Sequence, residues 1–541
     1  VRCMHKAKTE MRVVFALLLL LFAGFLFLPL LVLLIRSFET GEGFSLANYA
    51  AVWKGRDMVG AALNSVKVSA VSAVIATTLA FILAYAIHCT RIFRPIKGVL
   101  KTAILVPMLL PTITYGFAIM YSFGNQGLIT KLIGRNLFEI YGFNGLLTGY
   151  VIYTLPPAFL LIHNAFGYVD KKFIIVSKLM GDGTARSFFN AVLRPLAGAL
   201  GGAFVLAFIL SFTDFGIPAS VGGTYPVIAA QLYQVMLGSI PDFNQGAVIA
   251  VVMLIPAAFG IWLLRYLDKL NFHYDKIDAI ELPKHRVRDA GLGILSSAIV
   301  VGILSVFAVM FVAPFMNGFP YDTAFTFKHF SDVFASGDLT GVYKNSLWVA
   351  LLTSLLGTLA AYGAALLNVR TKLKAKAATD VVSMITNTVP GMVLGIAYLL
   401  LFNGSSLKGT FAILVLCNIV HLFTTPYLMA KNALSKMNPS WETTGELLGD
   451  SWFKTVYRVV LPNSASAIIE MFAYYFVNSM VTISGIIFLV SAQTSVVASK
   501  IKELQHFAKF NEIFVLSLLI FFTNLVIKAA CDWMQRRRAV R

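Results

Sequence analysis

The segment VVFALLLLLFAGFLFLPLLVLLI, at residues 13–35, contains no charged residue and no side chain able to hydrogen-bond. As a helix rising 1.5 Å per residue it is long enough to cross the ~30 Å hydrocarbon core of a bilayer. Comparable runs follow at about 62–88, 100–122, 146–167, 196–217, 245–266, 290–315, 345–368, 380–403, 410–430, 463–491 and 513–534. In lipid every peptide group must find its partner within the protein, so only helices or a closed barrel can span. Barrel strands alternate apolar and polar residues over ~10 positions, and these runs do not alternate. The chain therefore reads as an all-α membrane protein with about twelve transmembrane helices. Composition agrees: 58% of the 541 residues are hydrophobic and 13% charged, against about 25% charged in soluble domains. The first run is too long for a signal-peptide core and lacks a small-residue cleavage site, so it is expected to stay as a span.

A formal net charge of +19 would also suit a nucleic-acid binder. Position excludes that reading. Lys and Arg gather in alternate short segments (the N-terminal stretch, 91–101, 171–194, 265–288, 370–376, 431–458 and the final RRRAVR), while 218–243 has none. Basic residues mark cytoplasmic loops, so the charge reports topology, with both termini expected in the cytoplasm and the lipid bilayer as partner. The four cysteines are scattered, with no CxxC and no clustered His, so neither a disulfide framework nor a metal site is expected. No HExxH, G-x-S-x-G or paired-carboxylate pattern lies on a span, and no GxxxxGK[ST] loop is present. Catalytic residues, a cofactor and ATP hydrolysis by this chain are accordingly not expected.

The runs repeat in order. NSVKVSAVSAVIATTLAFILAYAI at 64–87 matches NSLWVALLTSLLGTLAAYGAALL at 345–367, each opening on Asn-Ser, which suits a helix N-cap, and continuing with small residues that let spans approach closely. VPMLLPTITYGFAIMYSFGN answers TNTVPGMVLGIAYLLLFNG, both interrupted by Pro and Gly. Between spans four and five stands KLMGDGTARSFFNAVLRPL (178–196), and between spans ten and eleven ELLGDSWFKTVYRVVLPNS (446–464). Two tandem halves with an even number of spans are related by an axis along the membrane normal. The expected division is a first half at 1–270, a cytoplasmic linker at 271–289 and a second half at 290–541.

The last repeated segment reads as a helix–Gly–helix elbow on the cytoplasmic face. In the second copy Asn438-Pro439 opens a helix, Glu442 lies near its positive end, and Gly449 ends it in a left-handed turn. Asp450 is expected to cap a second helix with Trp452, Phe453, Val456 and Val460 as its apolar stripe, ending at Leu461-Pro462. In the first copy Asp170 opens, Gly181 breaks, Asp182 or Thr184 caps, and Phe188, Phe189 and Val192 form the stripe before Pro195. A single such segment would suit a connector lying on lipid; two at equivalent positions point to a docking element.

This segment resembles the EAA loop of binding-protein-dependent ABC importer permeases, whose pattern runs E-A-A, three residues, Gly, a spacer, then Leu-Pro. Gly181, Gly449 and Leu461-Pro462 match; Ile175 and Thr443 stand where the family has Glu, and Arg194 splits Leu from Pro. The resemblance covers nearly the whole chain, as two fused permease halves of a type I importer. VPGMVLGIAYLLLFN and YYFVNSMVTISGIIFLVSAQT are similar to the fused permeases for iron(III) and for phosphonates such as 2-aminoethylphosphonate. It implies a bacterial inner-membrane subunit that passes iron(III) or a phosphonate or phosphate ester. Its implied partners are two copies of a cytosolic ABC ATPase, which would hold ATP and Mg, and an extracytoplasmic solute-binding protein. Gly181, Asp182, Arg186, Glu442, Glu446, Gly449, Asp450, Leu461 and Pro462 would couple to the ATPase. The outer loops 37–61, 218–243, 317–343 and 492–511 would receive the binding protein. The rival reading is an ion-coupled secondary transporter with twelve spans in two parallel repeats, which would need intramembrane ionisable groups, and few are present.

Candidate pathway residues follow from the repeat. Thr213 and Gly216 of TDFG align with Thr482 and Gly485 of TISG, which adds Ser484. Asp214 is expected near the outer mouth, either in the pathway or hydrated at a helix end. Glu470 lies partway up span eleven. Lys67 is a weak candidate for an anionic cargo. Lys528 and Asp532 should pair at i,i+4, and His88, His163 and His421 read as packing residues at span ends.

Overall fold

The structure, a computed structural model, describes residues 2–170, 172–269, 285–371, 377–438 and 440–539. Most of the expected linker and Pro439 lie outside the described residues. Among those described, seven helices are long and apolar enough to cross a membrane, and up to eleven spans result if each of four bent helix pairs counts as one. The remaining run forms Ala465–Val481, a helix of 17 residues whose twin in the first half, Ala197–Thr213, also has 17. The duplication extends through the elements. Each half has a first span (Met11–Phe38; Arg286–Phe315). An outer hairpin follows (Glu39–Thr40 with Gly43–Phe44; Met316–Gly318 with Asp322–Phe325). Then come a short outer helix (Ala47–Lys54; Lys328–Ala335) and a 34-residue second span (Arg56–Cys89; Gly337–Arg370).

Proline dictates where the third spans break. It lacks an N–H, and it pushes the residue before it out of the helical region. Pro111 and Pro390 both adopt extended backbone (φ −60°, ψ 141° and φ −59°, ψ 147°). The flanking helices bend by 106° in Arg94–Leu109 plus Thr112–Ile133, and by 101° in Ala377–Thr388 plus Gly391–Phe402. These breaks meet the outer ends of Ala197–Thr213 and Ala465–Val481. A Cβ placed on Gly216 would strike the Thr112 hydroxyl and lie 2.5 Å from the Ile113 nitrogen. In the second half a Cβ on Gly391 would lie 2.5 Å from Ser484 Oγ, and one on Gly395 would strike the Gly485 carbonyl.

The first span of each half crosses to the other half's third span. The Tyr398 hydroxyl donates to the Phe25 carbonyl (2.6 Å), and the Ser122 hydroxyl donates to the Val306 carbonyl (2.8 Å). The halves are thus interlocked rather than merely abutted.

The Asn-Ser pairs do not cap. Their helices start earlier, at Arg56 and Gly337, because the second spans extend beyond the apolar run. Instead they tie down the outer segments that return from spans five and eleven. Ser65 Oγ accepts from Ile228 N (2.9 Å) and Ser346 Oγ from Val497 N (2.7 Å), at the starts of the outer helices Ile228–Leu237 and Val497–His506. Asn64 donates to Pro226 O (3.1 Å), and Asn345 to the carbonyls of Gln493 and Ser495 (3.0 Å each). Span seven begins at Arg286, inside the expected linker, capped by His285, whose Nδ1 accepts from Arg288 N (3.2 Å).

Gly395→Ala should lower the thermal midpoint in detergent by several degrees, since overpacking against a carbonyl costs about 1–3 kcal/mol. Gly302→Ala, where a Cβ meets nothing within 4 Å, should leave the midpoint in place. Scanning fluorimetry of the two variants checks this.

Candidate functional site

The second elbow is anchored by a buried arginine at the end of span eight. Arg370 pairs with Glu442 through two bonds of 2.6 Å, and donates to the carbonyls of Met437 (3.0 Å) and Asn438 (2.8 Å). The two side chains are 3% and 16% exposed. Asn438 Oδ1 accepts from Ser440 N (2.9 Å) and opens the helix Ser440–Leu447. Gly449 ends that helix at φ +81°, with Asp450 N returning to Gly445 O (2.9 Å). Asp450 does not cap the next helix: it pairs with Lys454, and Ser451 Oγ accepts from Lys454 N (3.3 Å) in its place. The Glu446 side chain lies outside the described residues.

The first elbow has the same backbone. Asp170 accepts from Lys172 N (2.9 Å), Gly181 has φ +84°, and Asp182 N returns to Ser177 O (3.0 Å). Asp182 accepts from Ser177 Oγ (2.7 Å) and faces Arg186 at 3.5 Å rather than capping; Gly183 occupies the cap position, so Thr184 does not cap either. In both elbows the second helix widens into a π turn, Phe189–Leu193 and Val456–Val460, just ahead of Pro195 and Pro462. Proline cannot donate to the carbonyl a turn behind, and π turns absorb such a defect, often at functional sites. Leu461 and Pro462 form the short turn that leads into span eleven.

The anchors differ. Thr90 and Thr371 each donate back to a carbonyl one turn earlier, which makes Cys89 the counterpart of Arg370. Ile174 stands where Glu442 does relative to the positive-φ glycine. The two charged positions of the second elbow are thus Cys89 and Ile174 in the first, where rings pack against the elbow instead. Phe188 packs on Tyr85 (5.6 Å) and Phe81 (6.1 Å), while His88 stacks on Phe166 (5.3 Å) with its Nε2 3.0 Å from His163 Nδ1.

Both elbows expose apolar tips immediately before the glycine. Leu179 and Met180 are 82% and 79% exposed; Leu447 and Leu448 are 83% and 77%. Phe189 and Phe453 are exposed beside them, whereas Trp452, Val192, Val456 and Val460 are buried and fix each elbow to the membrane domain. Contiguous exposed apolar surface marks an interaction site. The expected stripe had missed these tips, whose signal is two large apolar residues preceding Gly-Asp in each copy.

The pathway candidates fall into two counterpart clusters at the helix breaks. Asp214 is buried, which corrects the expectation of hydration at a helix end. Its carboxylate accepts from Ile217 N (2.9 Å) and the Thr112 hydroxyl, because the helix Gly216–Val221 starts there. Thr213 donates back to Ile209 O (2.8 Å). In the second half Ser484 sits beside Gly391 and His421, and Thr482 ends Ala465–Val481. Glu470 belongs to neither cluster; it is exposed in the N-terminal part of Ala465–Val481. Lys67 lies over the Phe143 ring (5.4 Å), and Lys528 pairs with Asp532 (3.7 Å). Sequence spacing also gave no sign of a polar clamp at the elbow-side ends of spans eight to ten, where Asp380 accepts from Lys431 (2.6 Å), Tyr427 (2.6 Å) and Asn368 (3.0 Å). No group of three or more metal-binding side chains occurs among the described residues.

Residues 76–272 and 353–540 each match the family described as binding-protein-dependent transport system inner membrane component. A Haemophilus influenzae protein assigned as a ferric transport system permease is 26% identical over 501 residues, covering 88% of this chain and 78% of its own. The ferric transport system permease protein of Actinobacillus pleuropneumoniae is 24% identical over 537 residues, covering 96% and 77%. The spermidine/putrescine transport system permease protein PotC of Escherichia coli is 25% identical over 239 residues, covering 42% of this chain and 85% of its own.

Arg370→Met strands a largely buried carboxylate, a change that costs up to about 3–5 kcal/mol. Amide exchange across 440–455 should accelerate at least tenfold. Arg186→Met removes an ion pair whose arginine is 76% exposed, and exchange across 172–190 should stay within about twofold, as for a surface pair.

Proposed function

The chain belongs to the family of binding-protein-dependent transport system inner membrane components, and from that premise we propose that it is a fused two-half permease of an ATP-driven iron(III) importer. Membership makes it a multi-pass transport subunit of an ABC importer in the inner membrane. Iron is favoured over a phosphonate because two relatives that align over most of the chain are named as ferric transport permeases.

The observation that carries the mechanism is the pair of matched elbows. Each presents an exposed apolar tip, a positive-φ glycine and a short helix seated on the membrane domain by buried residues. Two copies of a separate ABC ATPase would grip these tips, and ATP with Mg would be held there and not by this chain. Closure of the ATPase pair would push the elbows through Trp452 and Val456 on one side and Phe188 and Val192 on the other. Tilting spans five and eleven would then move the paired breaks at Asp214–Gly216 and Thr482–Gly485. The outer hairpins and short helices would seat the solute-binding protein, with both termini in the cytoplasm. Because Arg370 fixes the second elbow, that elbow should transmit more of the stroke than the ring-packed first.

Affinity purification from native membranes, with mass spectrometry of what copurifies, tests the docking. An ATPase should accompany the wild type and be lost from Gly181→Arg plus Gly449→Arg, where open space surrounds an added Cβ but the positive φ strains any side chain, so the turn itself is disturbed as well as its surface. Retention of the ATPase by that double variant, or its absence from the wild type even after crosslinking, would overturn the assignment. Iron(III) uptake by the single variants should fall further for Gly449→Arg; equal losses would contradict the unequal stroke.

A further inference from the structure

Outside the membrane, the helices Ile228–Leu237 and Val497–His506 lean across the pseudo-twofold axis onto the opposite half. The Tyr233 ring approaches Phe488 (6.3 Å). Lys502, which occupies the position of Tyr233 in the second copy, donates from Nζ to the Ala219 carbonyl (3.1 Å), and Gln505 Nε2 donates to the same oxygen (3.1 Å). Ala219 and Phe488 are counterparts in the turns after TDFG and TISG. Lys502 therefore stands where the two halves close on the outer side.

A cavity of about 940 Å³ opens at this junction, lined by Tyr233 of the first half and by Ser491, Ser499, Lys500, Lys502 and Glu503 of the second. Its charges are not balanced residue by residue. Lys500 engages both acids, Asp338 at 2.8 Å and Glu503 at 2.7 Å. Among the described residues the hydrogen-bond partners of Lys502 are neutral, the Ala219 carbonyl and Gln505 Oε1 (2.8 Å). Burial pulls the Lys502 ammonium below the ordinary lysine range, the result of desolvation without a compensating carboxylate.

We infer that this cavity is an oxyanion site at the outer gate, in which Lys502 exchanges the Ala219 carbonyl for an anionic oxygen of the phosphate or carboxylate class carried by the cargo. An ammonium gains more from a charged oxygen than from a neutral carbonyl, so arrival of such a group loosens a bond that holds the halves together. Asp338 and Glu503 balance the two lysines over the cavity as a whole, but at Lys502 itself a bare trivalent cation would meet an ammonium with no carboxylate on it. The cargo accordingly crosses as an iron(III) complex that presents oxyanion ligands. That last step rests on the importer reading; the site itself does not.

Inorganic phosphate is the probe. The full chain is placed in lipid nanodiscs and phosphate binding is followed by ³¹P line broadening, at constant ionic strength against chloride. Wild type and Lys502→Arg should broaden the resonance saturably, and Lys502→Gln should bind at least tenfold more weakly. Equal broadening by Lys502→Gln, or none by the wild type, would overturn the site. Uptake of radioactive iron(III) is measured in parallel. Phosphate binding without iron uptake removes iron as cargo and leaves the site standing, whereas iron uptake without phosphate binding removes the site.

Discussion

A helix that breaks inside a bilayer frees peptide groups where no water can meet them, and an unpaired group there costs several kcal/mol. The architecture depends on how those groups are satisfied. The carbonyl of Pro107 receives the Tyr115 hydroxyl (2.5 Å), that of Pro111 the Thr114 hydroxyl (2.7 Å), and that of Leu109 the Asn524 amide (3.0 Å) from the last span of the other half. Gly216, Gly391 and Gly395 allow the breaks to approach one another at distances that a side chain would forbid. Satisfying one half's break thus requires the other half, and the interlocking of first spans with opposite third spans follows the same logic.

This arrangement also explains how motion could travel. Spans five and eleven connect an elbow at one end to a helix break at the other through short, uninterrupted helices, Ala197–Thr213 and Ala465–Val481. A tilt imposed at one end must be absorbed at the other, where the backbone is already irregular and glycines sit against backbone and against side chains such as Thr112, Ser484 and His421. The two halves differ at their elbows. The second elbow rests on a desolvated Arg–Glu pair, whose geometry is fixed by four hydrogen bonds, and the first on Phe188 set edge-on to Tyr85 and Phe81, beside an imidazole pair.

The fold was legible because lipid imposes coarse rules. Twelve apolar runs, basic residues in alternate loops and a repeated order of motifs were all that was needed to place the spans and the duplication. Finer geometry was not. Asn-Ser at 64–65 and 345–346 has the chemistry of a cap, yet its partners are peptide groups far along the chain, which local spacing cannot show. Asp214 looked interfacial because its depth was counted along an unbroken helix, whereas the chain turns there and buries it. Arg370 and Glu442 were both visible as charges, but their pairing joins span eight to an elbow after span ten. Lys502 escaped attention because it lies in an outer segment whose return to the axis exists only in three dimensions.

The central claim is that cargo passes between the two halves at the junction where Ala219 meets the helix Val497–His506. Cysteines at Ala219 and Gln505, in a chain whose native cysteines are replaced, can be bridged by a reducible bifunctional thiol reagent in membranes that hold the assembled importer. Iron(III) uptake relative to the unbridged protein should vanish on bridging and return on reduction. Uptake that continues undiminished through the bridged state would contradict the account, since no route between the halves could then be opening at that gate.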